Sequence, residues 1–249
     1  MLSACIITYN CADILPACLA SLAFADEIVV VDSGSTDGTV EAAAAAGARV
    51  IHQPWLGFGA QKQFAVDSAR HDWVLCVDSD ERVSEALQGA IVRELEKPNQ
   101  FAYMFPRRNR FLGRYLNHGE GYPDMSLRLF HRQHARWSED PVHEKVITLG
   151  TVGRLAGDLL HDSAETLDAY LAKQNRYTTI AARELFRQGE RPSALRVVVS
   201  PTFRFIKFYL CRLGFLDGWP GLVHIGIGCF NSFTKYAKLL DLMRQENKS

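Results

Sequence analysis

Four apolar runs, Leu2–Thr8, Glu27–Val31, Arg49–His52 and Trp73–Val77, alternate with helical patterns over the first third of the chain. Strands separated by helices pair through right-handed crossovers, which build a mostly parallel sheet flanked by helices. Asp13 is placed to cap a helix running to about Leu22. A second helix is expected over Val40–Ala46, stopped by Gly47, and a third over Gly59–Arg70. The fold class is therefore α/β. In an open sheet of this kind ligands bind beyond the carboxyl ends of the strands. The residues that follow each strand are thus the first place to look for chemistry.

The fourth strand ends abruptly in Asp78-Ser79-Asp80-Glu81. Carboxylates this close repel one another unless a cation or a proton sits among them. A hard divalent metal is the simplest occupant, because it takes oxygen ligands and bridges to phosphates. Capping of the next helix, begun by Ser84, needs fewer acids than this. The second strand ends in Asp32, followed by the turn cluster Ser33-Gly34-Ser35-Thr36-Asp37-Gly38-Thr39. Small residues there let backbone amides approach a ligand, and Asp32 can accept hydrogen bonds from a base or a ribose. An ordinary turn with a Thr36 or Asp37 cap accounts for the loop equally well. The glycine fingerprint of dinucleotide sites is missing. Thr8-Tyr9-Asn10 closes the first strand at the same edge and is open to the same two readings.

Beyond the helix that ends near Lys97-Pro98-Asn99, the pattern changes. Residues 101–161 form short, aromatic, Arg-rich segments, which suggests a mixed or antiparallel half completing the sheet. It contains Ser138-Glu139-Asp140-Pro141-Val142-His143-Glu144. Transfer to a hydroxyl needs a base within reach of its proton, and Glu144 or Asp140 can serve. His161 follows an apolar pair; a lone histidine there is more often structural than a metal ligand. Arg107, Arg108, Arg110, Arg114, Arg128, Arg132 and Arg136 suit a phosphate or an anionic acceptor. A long helix is expected from about Ala164 to Gln188, then two more, split near Asp217-Gly218-Trp219-Pro220-Gly221. The domain division expected is a catalytic domain over 1–162, with halves of about 1–98 and 99–162, and a helical extension over 163–249.

The net charge of zero gives no reason to expect nucleic acid, but it hides an asymmetry. From Arg191 onward nine Lys/Arg stand against three Asp/Glu, so the tail is cationic as well as apolar. An amphipathic segment over Phe203–Leu216, with Arg204 and Lys207 on one face, points to an anionic membrane surface. Packing on the core or on a second subunit explains it nearly as well. No run is long enough to span a bilayer, no signal peptide is expected ahead of Leu2, and the six cysteines show neither zinc nor disulfide spacing. A cytoplasmic protein, peripheral on the inner membrane, is the expectation.

Ile6-Ile7-Thr8-Tyr9-Asn10, Val30-Val31-Asp32-Ser33-Gly34-Ser35-Thr36-Asp37-Gly38-Thr39 and Val77-Asp78-Ser79-Asp80-Glu81 together resemble the family 2 glycosyltransferases of GT-A fold. Trp55-Leu56-Gly57-Phe58-Gly59-Ala60-Gln61-Lys62-Gln63 and Val142-His143-Glu144-Lys145 resemble its lipopolysaccharide-core branch, which includes a heptose β-1,4-glucosyltransferase. The resemblance implies an inverting enzyme using a nucleotide-sugar donor, UDP- or ADP-linked, and an anionic, lipid-linked glycan acceptor. It implies nucleoside contacts at Thr8 and Asp32, with Tyr9, Asn10, Lys62 and Ser79 lining the donor site. Asp78 and Asp80 would be its DxD motif, holding Mg²⁺ or Mn²⁺ and the donor's ribose and diphosphate. His161 gains weight as a further metal ligand beside Asp80. The Val-His-Glu context favours Glu144 over Asp140 as the base. An aspartyl-phosphate phosphohydrolase is a rival reading, weakened by Arg82 where its motif wants Thr or Val; a non-catalytic, membrane-associated binding protein is another.

Overall fold

The computed structural model describes residues 1–138, 144–162 and 166–246. Two compact units form: Met1–Arg108 with Asp124–Asp162, and Asn109–Pro123 with Ser163–Ser249.

The first unit is built on strands β1 (Leu2–Thr8), β2 (Glu27–Asp32), β3 (Arg49–His52), β4 (Trp73–Asp78), β5 (Glu81–Val83), β6 (Ala102–Phe111), β8 (Asp124–His131), β9 (Ala135–Trp137), β10 (Val146–Thr148), β11 (Gly153–Arg154) and β12 (Leu159–His161), with the short β7 (Arg114–Tyr115) falling in the second unit. Its helices are α1 (Leu15–Ser21), α2 (Thr39–Ala45), α3 (Phe58–Asp67) and α4 (Glu85–Glu96). The main sheet runs β3-β2-β1-β4-β8-β6-β12-β5. Its first four strands are parallel, and β8 turns the sheet antiparallel by pairing with β4. The aromatic, Arg-rich half thus completes the sheet with reversed strands.

Strand alternation explains why these runs bury themselves on both faces. Ile6, Val30, Leu75 and Val77 face one core with Leu15 and Leu19 of α1 and Leu87 and Ile91 of α4. Cys5, Val29, Val31, Val74 and Cys76 face the other, with Ala65 and Val66 of α3 and Trp137. Full burial of each of the larger side chains contributes about 1.5–3 kcal/mol. Register then sets the functional edge: Thr8 lies opposite Asp32, and Ile7 opposite Asp78.

Most local signals act as read. Ser84 caps α4 by accepting from the Leu87 amide, and Gly47 ends α2 with φ near 81°, a conformation that side chains disfavour. Asp13 does not cap α1. The Cys11 carbonyl takes the amides of Ile14 and Leu15 instead, and Pro16 in the first turn has no amide to satisfy.

The second unit carries α5 (Leu167–Arg187), α6 (Arg196–Phe205) and α7 (Gly218–Glu246). Thr166 caps α5 through the Ala169 amide; Ala164 lies outside the described residues. The break in the tail sits earlier than its Gly and Pro residues suggest. α6 runs on through a wider turn, Ile206–Cys211, and the chain reverses between Leu213 and Gly218, both at positive φ. Trp219, Pro220 and Gly221 are already helical, because proline is tolerated in a first turn. Asp217 anchors the reversal: its buried carboxylate accepts the amides of Asn117, at 3.0 Å, and His118, at 2.8 Å.

Candidate functional site

At the carboxyl edge of β1 and β2, Asp32 organises the loop that follows it. Its Oδ1 accepts from the Thr8 hydroxyl at 2.9 Å and the Ser35 hydroxyl at 2.5 Å. Its Oδ2 accepts the Gly34 and Ser35 amides, both at 2.8 Å. Burial works against the charged form, but these four donors outweigh it and hold the carboxyl below its usual range. Asn10, at positive φ, ties the first loop to this one through the Thr36 amide at 2.9 Å, and its own amide reaches Ser35 Oγ at 2.8 Å. Tyr9 projects into solvent from the same turn. The turn cluster is therefore a rigid, hydrogen-bonded rim.

The two aspartates at the end of β4 face different partners. Asp78 is gripped by Lys62, at 3.0 Å, and by Arg128, at 2.9 Å. Burial disfavours its charge, yet Arg128 and Lys62 hold the carboxyl far below the usual range. Glu81, fully buried, accepts the Asp78 amide at 2.9 Å and pairs with Arg128 and Arg107 at 3.3 and 3.5 Å. Asp80 turns instead to His161, whose Nε2 lies 3.1 Å from Oδ2. Burial alone would depress the imidazole, but the hydrogen bond and charge of Asp80 raise it. Ser79, between the two aspartates, is half-buried and bonds the Cys11 thiol. His161 reaches this point because β12 pairs with β5 opposite Glu81.

Asp80 and His161 offer a carboxylate oxygen and an imidazole nitrogen side by side. That pair suits Mg²⁺ or Mn²⁺ whose other positions are filled by phosphate oxygens and water. Among the described residues no group of three or more metal-ligating side chains exists, so the protein offers at most these two ligands here.

Glu144 comes in from a separate hairpin made by β9 and β10. Its Oε1 lies 3.2 Å from Lys62 Nζ. Lys62, only 6% exposed, therefore touches both Asp78 and Glu144, and it stacks over Trp137 at 4.8 Å. Glu139, Asp140 and His143 lie outside the described residues.

Several arginines expected to meet an anionic ligand are held by carboxylates instead. Arg107 pairs with Asp124 at 2.7 Å and Arg132 with Asp72 at 3.1 Å; Arg108 lies 3.6 Å from Asp158. Arg128, one of the same set, is nearly buried and paired with Asp78 and Glu81. It stands between Leu127 and Leu129 on β8, and a charge on the buried face of a strand signals a buried partner. Trp137, which bonds Cys76 Sγ at 3.3 Å and underlies both Lys62 and Arg128, left no motif to find it by.

Residues 3–149 match the model of the family described as Glycosyl transferase family 2. The chain is 32% identical to the Lipopolysaccharide core biosynthesis glycosyltransferase LpsC of Rhizobium meliloti (strain 1021), over 96% of this chain and 91% of that one. It is 31% identical to an uncharacterized glycosyltransferase of Rickettsia bellii (strain RML369-C), over 99% of this chain and 88% of the relative. Among solved structures, S. aureus TarS in complex with UDP-GlcNAc superposes with a TM-score of 0.49 at 14% identity, covering 96% of this chain and 88% of that one.

Proposed function

The chain belongs to glycosyl transferase family 2, and from that premise we propose an inverting transfer of one sugar from a nucleotide-sugar donor to a lipid-linked, anionic glycan of the lipopolysaccharide core. The chain is a glycosyltransferase of α/β, GT-A type. What supports the finer reading is one observation: the rim organised by Asp32, the Asp78–Asp80 strand end and the Glu144 carboxylate meet at one sheet edge. The rim of Thr8, Tyr9, Asn10 and the loop held by Asp32 frames the nucleoside. Ser79 and Asp80 face the ribose and diphosphate. Asp80 and His161 would hold a divalent cation, which would supply positive charge to neutralise the departing diphosphate.

Glu144 accepts the proton of an acceptor hydroxyl. The freed oxygen attacks the anomeric carbon from the side opposite the diphosphate, a new glycosidic bond forms, and the bond to phosphate breaks with its electrons leaving on the nucleoside diphosphate. Attack from the opposite side inverts the centre. Asp78 does not join this step as a ligand; neutralised by Lys62 and Arg128, it fixes the strand end on which Asp80 is mounted.

Thermal unfolding with UDP, ADP or GDP, each with and without Mn²⁺, tests the donor half. At about 100 times Kd, binding adds about 2.7 kcal/mol, a shift of several degrees for a chain of this size. One nucleoside diphosphate should raise the midpoint only when metal is present. No shift with any of the three would remove the nucleotide-sugar reading.

The second unit supports a membrane partner. Its reversal between α6 and α7 leaves Leu210, Leu213, Phe215, Leu216, Trp219 and Leu222 exposed. Between Arg191 and Leu240 the single acid is Asp217, 1% exposed and already bonded, and Glu120 from the unit's other segment is paired with Arg204, so the unpaired charge along this stretch is cationic. Among the described residues no helix is long and apolar enough to cross a bilayer. This chemistry fits shallow insertion into an anionic leaflet. Phe215→Ser with Trp219→Ser should lower binding to phosphatidylglycerol vesicles more than about tenfold, since each buried aromatic contributes about 1.5–3 kcal/mol. Equal vesicle binding by the variant would overturn the assignment. Loss of a dimer in the variant, with no vesicle binding by either protein, would give the surface to a second copy.

A further inference from the structure

We propose that one face of α3 is a cradle for the hairpin arm carrying Glu144, and that Lys62 on that face is a positioning residue tying the Glu144 carboxylate to the donor-side strand end. This rests on the reading of Glu144 as the base. The arm needs such a support. Among the described residues β9 and β10 pair only with each other and stand outside the main sheet. The Ser138 amide donates to the Lys145 carbonyl at 2.8 Å, and the Lys145 amide to Ser138 Oγ at 3.1 Å, which places Glu144 just past the last rung. A two-stranded hairpin has marginal stability alone, so the aim of Glu144 depends on what the arm rests against.

Three residues of α3 provide the rest, and their spacing puts them on one side of the helix: Gly59, Lys62 and Gln63 at i, i+3 and i+4. Gln63 Oε1 accepts the Trp137 amide at 2.9 Å, fixing the end of β9. At Gly59 a Cβ would stand 2.3 Å from the Ser138 carbonyl oxygen, so the backbones approach as closely as they do because no side chain intervenes. Lys62 completes the contact with charge. Its ammonium bridges Asp78 and Glu144 from a site closed below by Trp137. It engages Glu144 Oε1, which leaves Oε2 as the oxygen to receive a proton.

Asp78 has a second cation in Arg128, whereas Lys62 is the ion-pair partner found for Glu144 among the described residues. Loss of Lys62 therefore falls on the base more than on the donor side. This also gives a role to the stretch over residues 55–63: it supports the proton acceptor and need not touch the sugar nucleotide.

A double-mutant cycle on the full chain tests this. Lys62→Met should lower kcat about 10- to 100-fold while the Kd for the nucleoside diphosphate, measured with Mn²⁺, stays within about threefold of wild type. In the Glu144→Gln background the same change should cost less than about threefold, because groups that act as a unit are not additive. Near-wild-type turnover by Glu144→Gln would defeat the base reading itself. With Glu144→Gln impaired, the cradle is overturned by unchanged kcat in Lys62→Met, by a loss that multiplies in the double variant, or by a weakening of nucleotide binding that matches the loss in rate. Should Lys62→Met fail to fold, Gln63→Leu puts the same question: the expected result is reduced kcat with unchanged nucleotide affinity, and unchanged kcat would refute the cradle.

Discussion

Asp80→Ala should abolish sugar transfer, by about 10³-fold or more, and leave the protein folded. The size follows from the charge at stake. A nucleoside diphosphate cannot leave readily without a cation to take up its developing charge, and that stabilisation amounts to several kcal/mol. The preserved fold follows from how little else Asp80 does. Its side chain is 30% exposed and its ion-pair partner is His161. Pairs of that exposure contribute about 0–1 kcal/mol. Its backbone carbonyl, which accepts the Asp162 amide at 2.9 Å, survives the substitution. The melting temperature should therefore move by no more than a few degrees, and chelation of divalent metal should abolish transfer by the wild-type chain.

Asp78→Ala serves as the contrast. It strips the carboxylate from two buried cations, Lys62 and Arg128, and breaking a buried pair costs about 3–5 kcal/mol. The two aspartates should thus separate cleanly: loss of Asp78 lowers stability, loss of Asp80 lowers catalysis. Near-wild-type turnover by Asp80→Ala, measured at saturating donor and metal, would sink the cation site.

Glu144→Gln should lower kcat by about 10²–10⁴-fold, the range for removal of a general base. The amide keeps the shape of the side chain and an oxygen to face Lys62, but it cannot take a proton. Binding of donor should change little, because Glu144 sits on a separate arm, across Lys62 from Asp78. Steady-state kinetics with each substrate varied in turn checks this split. Asp140→Asn is the informative companion. If it carries the loss in kcat and Glu144→Gln does not, the base is Asp140.

The parallel half of the fold was legible because its signals are local. Apolar runs with β-branched residues make strands, Gly47 and Ser84 mark helix ends, and strand ends place Thr8, Asp32 and Asp78 along one edge. Helix limits set by backbone groups or by remote partners were less legible. The capping of α1 passed from Asp13 to the Cys11 carbonyl, and the tail reverses where amides of Asn117 and His118 reach Asp217, about a hundred residues away in sequence.

For the site, local sequence supplies the inventory: an aspartate-rich strand end, an organised turn, a histidine after an apolar pair and a carboxylate near a short arm. Each is written in residues close to one another, where spacing and strand period decide placement. The pairings come from the folded chain. It divided Asp78 and Asp80 between a cationic clamp and a histidine, drew Arg107, Arg128 and Arg132 into ion pairs, and set Lys62 between Asp78 and Glu144. Charges interact over a few ångströms whatever their separation along the chain. Lys62 and Glu144 lie 82 residues apart yet meet at 3.2 Å, and a one-dimensional pattern carries no such distance.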